Sequence, residues 1–188
     1  MSKNLPYKIN RLVYPYVFLW SACNEAMELA RTYSDSKLPF MTSMLLSSFC
    51  LEAYLNHLAM MKHGGDWRSF ERSSSPDEKL KVLAEKIGYH LDLGVRPFQT
   101  FSTIFKFRNA IAHAKTEHVQ AKSKMALTDF IASDKIPPEP LTEWEKHLTP
   151  KMARRFLDDS LEMIKELHKT AGLGVDPFDQ PFSNTRLE

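Results

Sequence analysis

The sequence predicts an all-α fold, an antiparallel helical bundle of about five helices with a long proline-containing excursion before the last one. Three observations carry this expectation. Apolar residues recur at helical spacing along several stretches, helix start and stop signals bracket those stretches, and no segment reads as a convincing strand.

The first helix is expected over about Pro15 to Tyr33, because Pro15 suits a first turn and Val17, Trp20, Cys23, Met27 and Ala30 approximate a stripe. The second, roughly Pro39 to His63, carries Met41, Leu45, Phe49, Leu55 and Ala59 and stops at Gly64-Gly65, which makes it the expected central core helix. Trp67 to Ser74 reads as a loop. Ser75-Pro76-Asp77-Glu78 then combines an N-cap serine, a first-position proline and a glutamate three residues after the cap, predicting a short third helix to about Ile87. A fourth should start near Pro97 and continue to about Lys115, with Phe98, Phe101, Ile104 and Ile111 on one side. Pro137, Pro138 and Pro140 exclude a continuous helix across 116–148, which reads as an extended excursion with a helical piece near Lys122 to Ile131. Thr149-Pro150 caps a fifth helix reaching about Ala171, and Gly172-Leu173-Gly174 ends it. The tail, 172–188, is left open between docking and disorder.

A length of 188 residues suits a single domain, 1–188, and 43% apolar with 26% charged residues is ordinary globular composition. A net charge of +2 does not suggest a globally basic nucleic-acid binder, so partners must be argued from sites. Cys23 and Cys50 fall within apolar helical patterns and read as reduced core residues, and no metal site or cofactor is expected. With neither a signal-peptide pattern nor a run of roughly 18 apolar residues, the expectation is a cytoplasmic protein without membrane contact.

One stretch on the fourth helix stands out for chemistry: Arg108-Asn109-Ala110-Ile111-Ala112-His113. Advancing about 100° per residue from Ile104, Arg108 and Ile111 fall within about 40° of it, whereas Asn109 and His113 fall nearly opposite. Asn109 and His113 therefore share a polar face. Arg108 leans inward, where a guanidinium needs a carboxylate to offset its desolvation. Glu52 is on the inward side of the second helix, in register with Leu45, Ser48, Phe49 and Ala59, so a Glu52–Arg108 pair between two packed helices is expected. Asn56, one turn after Glu52, could reach the same cleft or cap a neighbouring loop.

Arg108-Asn109-x-x-x-His113 resembles the signature of the HEPN superfamily of small helical proteins, and Ser48-Phe49-Cys50-Leu51-Glu52-Ala53-Tyr54-Leu55-Asn56 is similar to that family's acidic-containing helix. The resemblance spans roughly Tyr16 to Ala171 in helix order. It implies a homodimer in which two motif helices face each other across a two-fold axis. It also implies, for many members, metal-independent endoribonuclease activity in which the RNA 2′-hydroxyl attacks the adjacent phosphate. In that reading His113 moves protons, Arg108 stabilises charge developing on phosphate, Asn109 positions the phosphate or the imidazole, and Glu52 and Asn56 support them. Other members are noncatalytic, which here implies an interaction or nucleotide-binding module of a toxin–antitoxin or defence system, with a protein partner such as an antitoxin.

Plainer roles stand beside these. His113 could be a helix cap or a solvated histidine, and Arg108–Glu52 could serve core satisfaction alone. His118 is five residues beyond His113, a poor metal spacing. His57, His63, His90, His147 and His168 are scattered and default to surface or packing roles. Phe98, Phe101, Phe105 and Phe107 read as core or dimer interface rather than a base-stacking platform. Lys106, Lys115, Lys122 and Lys124 are either a solvated face or a phosphate-steering one.

Overall fold

The computed structural model describes residues 9–33, 37–62, 67–120, 139–174, 176–179, 181 and 183–187. Within them the chain is an all-α bundle bearing one small sheet. The helices are α1 (Pro15–Thr32), α2 (Leu38–Lys62), α3 (Trp67–Ser73), α4 (Pro76–Ile87), α5 (Phe101–Ala112) and α6 (Pro150–Thr170).

α1 and α2 run antiparallel, as their paired contacts show. Cys23 Sγ lies 3.2 Å from the Ser43 carbonyl and Cys50 Sγ 3.3 Å from the Tyr16 carbonyl, so advance along one helix matches retreat along the other. Both thiols are buried and unpaired. Burial pushes Cys23 up to about 11 and raises Cys50 further, leaving them as small apolar core groups. α2 is the centre: Met44, Leu51, Tyr54, Leu55, Leu58 and Ala59 are fully buried, and it meets α1, α3, α4, α5 and α6. By length and composition α2 could cross a membrane, contrary to the expectation that no segment could. Its most apolar stretch is half buried inside the bundle, as for the core helix of a globular domain.

The predicted caps are present. The Ser75 side chain accepts from the Glu78 N–H while Glu78 accepts from the Ser75 N–H, a capping box, and Gly88 closes α4 at φ 72°. The Thr149 side chain accepts from the Met152 N–H at 3.2 Å at the start of α6.

Three expectations need correction. Trp67–Ser73 is a helix, not a loop: Trp67 and Phe70, one turn apart, pack together at 5.1 Å and Trp67 is buried. A strand pair also exists, β1 (Ile9–Val13) against β2 (Ser183–Leu187), antiparallel with Ile9 opposite Leu187 and Val13 opposite Ser183. Neither strand has a hairpin turn to announce it, because its partner lies at the other end of the chain. Finally, α5 stops at Ala112, short of Lys115, where His113 leaves helical geometry at φ −113°, ψ 18°. The helical piece expected near Lys122 to Ile131, with Pro137 and Pro138, lies outside the described residues.

The described part of the tail docks. The Tyr16 hydroxyl donates to the Pro177 carbonyl at 3.1 Å and Phe178 stacks on Trp20 with ring centres 5.0 Å apart.

Candidate functional site

α5 is positioned from both ends. At its start a turn of 3₁₀ helix (Phe98–Thr100) is tied to α6 through Asp159, a fully buried carboxylate. Asp159 accepts from the Thr100 hydroxyl, from Arg96 Nε at 3.0 Å and from Arg155 Nε at 3.4 Å. Donors from three residues satisfy a charge that could not otherwise leave water. Along its length Phe101, Ile104, Phe105 and Phe107 point into the core, and Phe107 meets Phe156 of α6 edge-on at 5.7 Å. These rings are core, not a stacking surface.

The expected ion pair is present. Arg108 Nη2 donates to Glu52 Oε2 at 3.0 Å, with both side chains three-quarters or more covered. The Arg108 guanidinium carbon also lies 5.3 Å from the Phe105 ring centre, within cation–π range. A third member was not foreseen. Lys79 of α4, only 4% exposed, donates from Nζ to Glu52 Oε1 at 3.3 Å. Its signal was available, since Lys79 is one turn before the fully buried Leu83 and so falls on the inward side of α4. Two cations thus share one carboxylate and leave one positive charge over. Arg108 Nε and Asn56 Oδ1 are buried without a hydrogen-bond partner among the described residues.

Asn109 and His113 are exposed on the other side of α5, where the sequence placed them. The His113 N–H donates to the Asn109 carbonyl at 3.0 Å, closing the last turn. No hydrogen bond to another described residue holds either side chain. Glu52 and Arg108 are therefore brought together, Asn109 and His113 are displayed together, and the two pairs occupy different faces of one helix.

Two recesses accompany this arrangement. The first runs along α5, where Thr103, Lys106 and Ala110 face Glu143, Trp144 and His147 across a groove of about 290 Å³. The second, of about 190 Å³, lies between β1 and the ends of α2 and α6 and brings together His57 and His168, which sequence reasoning left scattered. Tyr16 and His57 pack with ring centres 5.0 Å apart, and Tyr54 sits 6.1 Å from each histidine ring. Burial lowers both imidazoles below the ordinary histidine range, His168 further influencing His57, while the Asp176 charge partly opposes the shift at His168. Among the described residues no group of three or more histidine, cysteine, aspartate or glutamate side chains could hold a metal ion.

No family model, curated protein or solved structure matches the chain.

Proposed function

We propose that the chain is a HEPN-like endoribonuclease that cleaves RNA without metal through the Arg108-Asn109-x-x-x-His113 segment at a homodimer interface. The observation that carries this reading is the division of α5. Arg108 is clamped by Glu52 and stacked near Phe105, whereas Asn109 and His113 stand open on the outer face at the helix end. A clamped guanidinium is a fixed electrostatic partner for phosphate, and the surplus positive charge of the Lys79–Glu52–Arg108 cluster favours an anion nearby.

The chemistry follows from those groups. His113 of one subunit removes the proton of the ribose 2′-hydroxyl, whose oxygen bonds to phosphorus. His113 of the partner subunit gives a proton to the departing 5′-oxygen, leaving a 2′,3′-cyclic phosphate and a 5′-hydroxyl. A two-fold axis through paired α5 helices brings both imidazoles to one phosphate. Arg108, about 140° around the helix from His113 of its own chain, acts on the phosphate through the field of its charge cluster.

The test is cleavage of labelled RNA in EDTA by the wild type, His113→Ala and Arg108→Ala. The expected outcome is cleavage by the wild type and a loss of 10²-fold or more in each variant, on the scale of proton-transfer and charge-stabilisation losses. Equal cleavage by all three, or none by the wild type, refutes the reading.

One observation favours a second reading, a noncatalytic interaction module of a toxin–antitoxin or defence system. Arg108 already has a carboxylate partner inside its own chain, as a purely structural arginine would. Tight antitoxin-like protein binding at the Asn109–His113 face without RNA turnover supports that alternative.

A further inference from the structure

The groove beside the motif helix has a construction of its own. Its outer wall is the segment 142–148, a turn built like a small helix start. The Thr142 N–H and hydroxyl both donate to Glu145 Oε2 at 2.8 Å, and the Glu145 N–H lies 3.3 Å from Thr142 Oγ1. One turn of 3₁₀ helix (Glu145–His147) follows, and buried Leu148 pins it to the core. This strap holds the Trp144 indole partly buried against the core while leaving its remaining surface to the groove. An aromatic ring so fixed loses little further freedom when another ring stacks on it.

The opposite wall is the face that carries His113. Lys106, Ala110 and His113 lie within about 60° of one another around α5, and Lys106 is about 10 Å from His113 along the axis. The groove's helical wall, Lys106 and Ala110, is thus on the same side of α5 as His113, one to two turns before it. Lys106 and the half-buried His147 supply donors beside the indole. Among the described residues lining the groove the one carboxylate, Glu143, is bonded to Lys146, whose ammonium holds it below the usual carboxylate range and offsets its repulsion of an anion. An indole platform, a hydroxyl at Thr103 and an ammonium in one open recess is the donor set that takes a flat heteroaromatic ring attached to a phosphate.

We infer that this groove is a nucleotide subsite for single-stranded RNA, in which a base stacks on Trp144 and its phosphate is held by Lys106, feeding the neighbouring nucleotide toward His113. The subsite rests on the ribonuclease reading for its occupant, but its binding can be measured without cleavage. Full-length wild type, Trp144→Ala, Trp144→Phe and Lys106→Ala are titrated with a labelled single-stranded 2′-O-methyl RNA, which offers no attacking hydroxyl, and cleavage of ordinary RNA is assayed separately. Loss of one base stack is expected to weaken binding by about 10-fold in Trp144→Ala, with Trp144→Phe close to wild type. Lys106→Ala should weaken binding and flatten its dependence on salt. Trp144→Ala that unfolds is recognised by its circular dichroism, and Trp144→Phe against Lys106→Ala then carries the comparison. RNA cleavage with binding unchanged in Trp144→Ala and Lys106→Ala overturns the subsite alone. Trp144-dependent binding without any cleavage supports the subsite and refutes the ribonuclease. Absence of RNA binding by the wild type overturns both.

Discussion

Replacing Glu52 with glutamine removes one negative charge from a cluster in which it is shared by two cations. The amide oxygen can still accept one hydrogen bond, but the amide NH2 then faces either the Lys79 ammonium, 95% covered, or the Arg108 guanidinium, 80% covered. Removing one partner of a buried ion pair costs about 3–5 kcal/mol. Glu52 itself retains 25% exposure, so water screens part of that loss, and the expected figure is about 3 kcal/mol. For a chain of this size that lowers Tm by roughly 6–12 °C. The assay is urea denaturation followed by far-ultraviolet circular dichroism, with the slope of the transition checked to be unchanged. The charge argument predicts a further result. Adding Lys79→Met removes the stranded ammonium and fills its volume, so the double variant should recover about half the loss or more, a coupling readable in a double-mutant cycle. A loss under about 0.5 kcal/mol in Glu52→Gln, or a double variant less stable than the sum of the singles, refutes the claim that Glu52 is the counter-charge of both helices.

Asp159→Asn removes the buried charge shared by Arg96, Arg155 and Thr100, turns one of its two acceptor oxygens into a donor, and is expected to destabilise by about 3 kcal/mol. It should also raise amide exchange at 98–104, where α5 is tied to α6, and exchange unchanged there would contradict the tie. His57 and His168 are held neutral by burial, so their folded-state values lie below the unfolded value of about 6.5. The unfolded chain then binds more protons in acid, and stability is full above about pH 6.5 and falls as the pH drops below it. His57→Gln should flatten that fall in a series of thermal melts, and a wild type equally stable at pH 5 and pH 7.5 would count against neutral burial. Thr149→Ala deletes the N-cap acceptor of α6 and should cost about 1 kcal/mol in chemical denaturation, most of it restored by Thr149→Ser.

Local signals led correctly to most of the helices because their causes are local. Ser75 and Glu78 cap α4 with atoms three residues apart, and Gly88 ends it with its own backbone. Trp67–Ser73 was missed because seven residues flanked by glycine and serine carry too little periodicity to outweigh their neighbours, and burial of Trp67 supplies what propensity does not. The end of α5 at Ala112 was missed because His113-Ala114-Lys115 holds no glycine or proline to mark the stop.

The site divides in the same way. Helical periodicity alone sent Arg108 inward and Asn109 with His113 outward, since about 100° per residue is a property of the backbone whatever it packs against. Periodicity on α2 likewise turned Glu52 toward the interior, so a partner for Arg108 could be named in advance. That Lys79 also reaches Glu52, that His57 and His168 share one recess, and that Trp144 stands across from Lys106 were decided only by how the helices dock. Each joins residues dozens to more than a hundred positions apart. The strand pair joining the two ends of the chain belongs with them. A side chain's direction around its own helix is set within a few residues, whereas the identity of the neighbour it meets depends on the packing of every helix between them.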